Sequence, residues 1–238
     1  MRVGWFKPAH PKTAESHRLR STLLARKRLV DIRRHMENQL RNIIKTAGAV
    51  LGSTAGRGLL KKVEAACEKD PTLDLICRPV MVVIETVRAH AAEYDRLLRS
   101  MGRRDEIARR MMTVPGVGVM TALAFMSTID DPHRFKRSSD VGAVLGLTPQ
   151  RHQSGEMDWS GRISKQGDGL VRTYLYEAAS VLISKITRWS KFKAWGVRLA
   201  KTSGHGKARI AVARKIAVIL HCIWIDGTEF EWTDPAAA

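Results

Sequence analysis

The stretch from Asp140 to Ala179, "DVGAVLGLTPQRHQSGEMDWSGRISKQGDGLVRTYLYEAA", decides how the fold is read. It opens on a short helical run that Gly146 ends, with Pro149 just beyond, and then turns polar and glycine-rich. From Gln150 to Arg162 a loop or a small β-hairpin fits. Asp168 then stands as an N-cap before a helix whose buried face would carry Val171, Tyr174 or Leu175, Ala178 and Leu182. One serine, Ser164, lies in the loop that leads to the positive end of that helix, with Arg162 before it and Lys165 after it.

Upstream, "IARRMMTVPGVGVMTALAFMSTI" (Ile107 to Ile129) joins two apolar helical runs through Pro115 to Gly118. That is the arrangement of a helix-hairpin-helix, in which a glycine turn (Gly116, Gly118) offers backbone N–H groups to a phosphate. A plain turn between two core helices is the other reading. The neighbouring Arg109, Arg110, Arg134, Lys136 and Arg137 favour DNA.

The first hundred residues are simpler. From Glu15 to Leu51 an apolar stripe (Ala25, Leu29, Ile32, Met36, Leu40, Ile43, Ala47, Val50) predicts one long amphipathic helix. Glycines in "GAVLGSTAGRG" break it, a short helix fits Leu59 to Cys67, and Pro71 breaks the chain again. That glycine-rich run lacks the order of a nucleotide-binding loop. A second stripe, Ile76, Val80, Val83, Val87, His90, Tyr94, Leu97 and Met101, steps by four and three. Pro79 blurs where its helix starts, because proline suits a first turn better than an interior. His90 within it reads as a packed or part-exposed side chain. The two seams predict a helical hairpin or a coiled coil between subunits.

Downstream, the basic and aromatic "TRWSKFKAWGVRLAK" precedes a last helix from Ala208 to Trp224. Its apolar face is Ile210, Ala213, Ile216, Ala217 and Leu220, with Arg214 and Lys215 off its centre. "DGTEFEW" is short, and a frayed "TDPAAA" ends the chain. Between Gly161 and Lys215 cations far outnumber the acidic Asp168 and Glu177. The expected fold is mainly α: a helical coiled-coil arm and linker over residues 1–106, then a compact helical domain over 107–238 with a glycine turn and a small β-hairpin.

The whole chain of 238 residues carries a formal charge of +18, with a pI near 10.5. Such an excess self-repels unless a polyanion neutralises it, so nucleic acid leads the partner classes, with a ribosomal or membrane-surface role sharing the same charge. Three cysteines without C-x-x-C or zinc spacing point to no disulfide framework and no metal, which fits a reducing cytoplasm. "MRVGWFKPAHPK" has no signal-peptide core, and "IAVILHCIWI" is too short to span a bilayer. A bacterial cytoplasmic, nucleoid-associated protein is the expectation.

A serine attacks a phosphodiester only if its proton can leave and the charge growing on phosphorus is balanced. Arg162, Lys165 and Arg172 could supply the second condition. No Ser-His-Asp order is present, and His152, the nearest histidine, sits in the loop. Taken alone, the residues leave open a nucleophile or a hydrogen-bonding loop hydroxyl.

Three blocks, "TVPGVGVMTALAF", "AVLGLTPQRHQSGEMDWSGRISKQGDGLVRTYLYEAA" and "HGKARIAVARKIAVILHCIW", resemble in order and spacing the carboxy-terminal part of insertion-sequence transposases that pair a RuvC-like acidic domain with a catalytic serine, the bridge-RNA-guided recombinases. The resemblance implies that Ser164 is the nucleophile of a phosphoserine–DNA intermediate, with Gly161, Arg162, Lys165, Gly167 and Arg172 as its motif neighbours. It also implies a guide RNA and a multimeric complex of like subunits. DNA contacts are expected from Arg162, Lys165, Arg172, Gly116, Gly118, Lys207, Arg209, Arg214 and Lys215.

The family's acidic stretch, of the form "K-T-D-x-x-D-A" before a segment similar to "VGWFKPAHPK", has no counterpart here. The first acidic residue is Glu15, and no carboxylate set has the spacing to hold Mg²⁺. The expectation is an amino-terminally truncated member, inactive alone, that binds no cofactor itself and for which Mg²⁺ comes only with the missing domain. Two non-catalytic readings stand beside it: a helical DNA-binding protein, and a coiled-coil protein that sequesters full-length transposase subunits.

Overall fold

The computed structural model describes residues 10–68 and 70–232. The "TDPAAA" end and most of "MRVGWFKPAHPK" lie outside them. The described residues are mainly α, with nine α-helices and one two-stranded antiparallel sheet. They fall into two compact units, Thr22–Leu97 on one side and the residues before Thr22 and from Leu98 onward on the other. The chain passes between the two units twice, once inside the first helix, α1 (Ala14–Thr46), and once after Leu97, inside the third, α3 (Pro71–Arg104).

In the Thr22–Leu97 unit, α1 stops at Thr46, short of Leu51, because Gly48 takes a positive φ of 86°. Val50, assigned to the stripe, is 85% exposed. Helix α2 (Arg57–Cys67) follows, and Asp70 caps α3 by accepting from the N–H groups of Thr72 and Leu73, with Pro71 in the first turn. Pro79 lies inside α3 at an exposed position, where water can satisfy the carbonyl it leaves free.

The core of this unit joins Leu40 and Ile44 of α1, Leu59, Leu60, Val63 and Cys67 of α2, and Leu73, Cys77, Met81 and Ile84 of α3. The buried stripe of α3 is thus displaced by one residue from the expected one, whose Ile76, Val83 and Leu97 are 51%, 40% and 49% exposed. Two seams with steps of four and three run side by side on this helix. The buried one, Cys77, Met81, Ile84, Arg88, Ala91, Asp95, contains two charges, and α1 answers both. Arg26 donates to Asp95 at 2.8 Å, while Glu37, itself buried, lies 3.6 Å from Arg88 and 3.5 Å from Arg33.

The second unit contains α4 (Glu106–Met111), α5 (Val119–Ile129), α6 (Val141–Val144), the hairpin β1 (Pro149–Ser154) and β2 (Met157–Ile163), then α7 (Gly169–Ser184), α8 (Lys191–Ser203) and α9 (His205–Asp226). Helix α9 packs on α7 and α8, and α5 packs on α7. Val171, Tyr174, Leu175, Ala178 and Leu182 are all buried on α7, as are Ala213, Ile216, Ala217 and Leu220 on α9.

The residues before Thr22 are stitched to this unit by buried carboxylates. Asp130 accepts from His10 Nε2 at 2.8 Å and from the N–H and hydroxyl of Thr13. Burial would raise the Asp130 pKa, but hydrogen bonds from Ser16, Thr13 and His10 outweigh it and hold the carboxyl well below the usual carboxylate range.

Candidate nucleic-acid interface

Ser164 stands on a loop whose backbone is set by two interlocked glycine turns. Gly146 has a φ of 66°, and a β-carbon there would sit 2.1 Å from the Gln166 carbonyl oxygen. Gly167 has a φ of 77°, and a β-carbon there would sit 2.1 Å from the Val144 carbonyl oxygen. Each turn therefore occupies the space that a side chain on the other would need. The Ser164 N–H donates to the Thr148 carbonyl at 2.9 Å and the Lys165 N–H to that of Gly146 at 3.2 Å, with Lys165 itself at a φ of 55°. Arg172 reaches back from α7 and donates from Nη1 to the carbonyls of Leu145 and Gln166 at 3.0 and 2.9 Å. Its place in the loop is that of a clasp across both turns.

Asp168 closes the loop as the N-cap of α7, accepting from the Leu170 N–H at 2.8 Å and from the Thr128 hydroxyl at 3.0 Å. Arg20 of α1 forms an ion pair with the same carboxylate. The serine backbone is thus tied to α5, α6, α7 and the start of α1, while among the described residues its hydroxyl has no hydrogen-bond partner.

The hairpin ahead of the serine turns through Gly155 and Glu156 and pairs Ser154 with Met157, His152 with Trp159 and Arg151 with Ser160. Pro149 pairs with Ile163, so β2 carries one extra residue around Gly161 and Arg162. His152 stacks on Trp159 at 4.1 Å, and a β-carbon on Gly161 would meet both rings. His152 is exposed in that stack, and no histidine hydrogen-bonds to the serine among the described residues.

Beside the serine loop, α9 completes a cleft of about 690 Å³. Its charged lining is Arg162, Lys165, Lys207, Arg214 and Lys215, all exposed, with no acidic residue among them. Five of the nine residues expected to contact DNA thus come together. The other four stand apart from that lining. Arg209 points to Tyr176, at 3.4 Å from its hydroxyl, and Arg172 is the clasp. In the glycine turn, a β-carbon on Gly116 would lie 2.4 Å from the Ala178 carbonyl, so this residue serves packing of the turn on α7. Gly118, the exposed N-cap of α5, has open space around it.

Two features escaped sequence reasoning. His221 is fully buried on α9, bonded to the Pro132 carbonyl through Nε2 and to Ser138 Oγ through Nδ1, and Phe135 meets its ring edge-on. Because the carbonyl can only accept, Nε2 carries the proton. The second is the return of the chain after α9: the Phe230 N–H donates to Thr113, and Arg188 lies over the Trp232 ring. Nothing in the local pattern marks either partner.

No three His, Cys, Asp or Glu side chains converge as metal ligands among the described residues, and Asp130 and Asp168 are each fully engaged. The described residues therefore offer no ligand set that fits the Mg²⁺ centre the family resemblance implies. No helix among the described residues is long and apolar enough to cross a membrane.

Residues 108–194 match the family model described as the Transposase IS116/IS110/IS902 family. Over most of its length the chain is similar to the transposase for insertion sequence element IS1111A of Coxiella burnetii, at 28% identity, covering 88% of this chain and 59% of that protein. A probable family 20 transposase of Pseudomonas aeruginosa is 28% identical over 88% of this chain and 64% of its own length. The transposase for insertion sequence element IS1328 of Yersinia enterocolitica is 32% identical over 58% of this chain and 42% of its own. The chain spans about six-tenths of the length of the first two of these relatives. On these matches the chain is similar to insertion-sequence transposases, and the match to the family model itself lies in residues 108–194.

Proposed function

We propose that this chain is the serine-bearing part of an insertion-sequence transposase that recombines DNA through Ser164. The observation that carries the reading is the serine's setting: a backbone locked by Gly146, Gly167 and Arg172, next to a cleft whose charged lining is entirely cationic. In the proposed step the Ser164 oxygen loses its proton and bonds to a DNA phosphorus as one ester oxygen leaves, and that oxygen takes up a proton from solvent, giving a phosphoserine–DNA link and a free strand-end hydroxyl. Arg162, Lys165, Lys207, Arg214 and Lys215 hold the neighbouring phosphates and balance the charge that grows on the transferring group. The locked loop keeps the hydroxyl oriented without reorganisation at the moment of attack. The partners are DNA at the element ends and target, a guide RNA, and further transposase subunits.

The test is a denaturing gel for covalent adducts, using the purified chain, DNA spanning the ends of its own element, the matching RNA and Mg²⁺. An adduct that disappears in Ser164→Ala supports the nucleophile. DNA shifted on a native gel with no adduct would reduce the chain to a binding module.

One observation favours association between copies as a second property. The expected α3 seam leaves Ile76, Val83 and Leu97 exposed at heptad spacing on a charged helix. Val83→Asp should lower the mass seen in sedimentation velocity without lowering the helix content of the arm.

A further inference from the structure

The cleft beside the serine is more than a cationic surface. Its floor is apolar: Leu147 and Ile163 from the serine side, Ile210, Ala211 and Val218 from α9, and the ring of Trp195 from α8. Phosphate contacts need cations and N–H groups, and gain nothing from such a floor. A stacked duplex cannot cover it either, because its bases are already buried in the stack. The volume falls inside the range of roughly 300–1,000 Å³ typical of pockets for small organic ligands. An apolar floor with a wholly cationic rim is complementary to a ligand with a flat apolar body and an anionic edge.

We infer that this cleft holds an unpaired nucleobase, from a single strand or flipped out of a duplex, with its flanking phosphates on Arg162, Lys165, Lys207, Arg214 and Lys215. The inference rests on the proposed action on DNA and adds a subsite to it. Ile163 and Lys165 line the cleft on either side of Ser164 in sequence, so a base held there fixes the strand at the nucleotide next to the reacting phosphate. Trp195 lines the cleft with its ring stacked on Phe192 at 6.1 Å, and a base added to that stack is held without sequence preference. It would give the strand register while sequence choice is made elsewhere.

The experiment is fluorescence anisotropy of the full chain at one fixed salt concentration with three labelled oligonucleotides of equal length: an ordinary single strand, a strand of abasic residues and a duplex. The ordinary strand should bind about tenfold or more tighter than the abasic one, which carries the same phosphates. Ala211→Phe, which fills the floor and leaves every cation in place, should bring the ordinary strand to the abasic affinity and leave the abasic strand unchanged. Trp195→Ala should act in the same direction, which covers the case in which Ala211→Phe fails to fold by circular dichroism.

Equal affinity of the wild type for ordinary and abasic strands would overturn the inference, whether or not a Ser164-dependent adduct forms. A cleft closed by a second copy of the chain would overturn it too, and would show as a concentration-dependent mass that Ala211→Phe abolishes. Failure to bind any of the three would overturn the proposed function together with the subsite.

Discussion

The arm, Thr22–Leu97, and the serine-bearing unit are both helical, yet they are specified by different means. In the arm, side chains decide: a seam of Cys77, Met81 and Ile84 packs with α1 and α2, and Arg88 and Asp95 are neutralised by Glu37 and Arg26. In the serine unit, backbone decides: Gly146 and Gly167 interlock, Asp168 caps, and Arg172 bonds to carbonyls. A side-chain seam can shift by a residue and still bury apolar surface. An interlocked pair of positive-φ turns has no neighbouring solution, which suits a loop that must hold one hydroxyl in one place.

The sharpest way to break this contrast is Gly146→Ala. The added methyl meets the Gln166 carbonyl at 2.1 Å in a left-handed conformation, so the loop must shift, at an expected cost of about 3 kcal/mol. Denaturant unfolding followed by tryptophan fluorescence should show the loss, with any adduct formation falling further than stability does. A neutral result would mean the turns are not interlocked.

Glu37→Ala tests the arm. It leaves Arg33 and Arg88 facing each other without their shared carboxylate. Because both arginines are partly exposed, the loss should be about 2 kcal/mol, below that for a fully buried pair. Differential hydrogen exchange should place the added opening in α1 and α3 of the arm and leave α7 and α9 protected.

The smallest effect is a pH dependence confined to the arm. Burial, with Cys67 beside it, pushes the Cys77 thiol up to about 11. The unfolded thiol ionises near 8.5, so folding favours the protonated form. The stability this brings is fully present below about pH 8.5 and is lost as pH rises toward 11. Arm melting should therefore fall over that window, and Cys77→Ala should flatten the slope while lowering stability at neutral pH. A wild-type slope equal to that of the variant would show the thiol to be solvated.

Much of the serine unit was legible because its signals are local. Gly146 ending α6 with Pro149 beyond it, Asp168 capping α7 and the buried face of α7 each follow from a few neighbouring residues. The arm was legible as helices, but which of the two stripes of α3 packs within the chain was not. The all-apolar stripe from Ile76 was the natural choice, and only partners from α1 make a stripe containing Arg88 and Asp95 the buried one. The same limit hid His221, which depends on Pro132 and Ser138 far away in the chain, and it separated Arg209 and Arg172 from the cations that line the cleft.

By itself, the sequence determined the helical class, the turn positions and the concentration of positive charge around Ser164, because propensity, capping and composition act over a few residues. The tertiary structure alone decided which stripe of α3 is covered, which basic residues share a cleft and that this cleft has an apolar floor. Those outcomes depend on α8 and α9 meeting the serine loop across long stretches of chain, and on charges whose burial is affordable only when a partner from another helix is already in place.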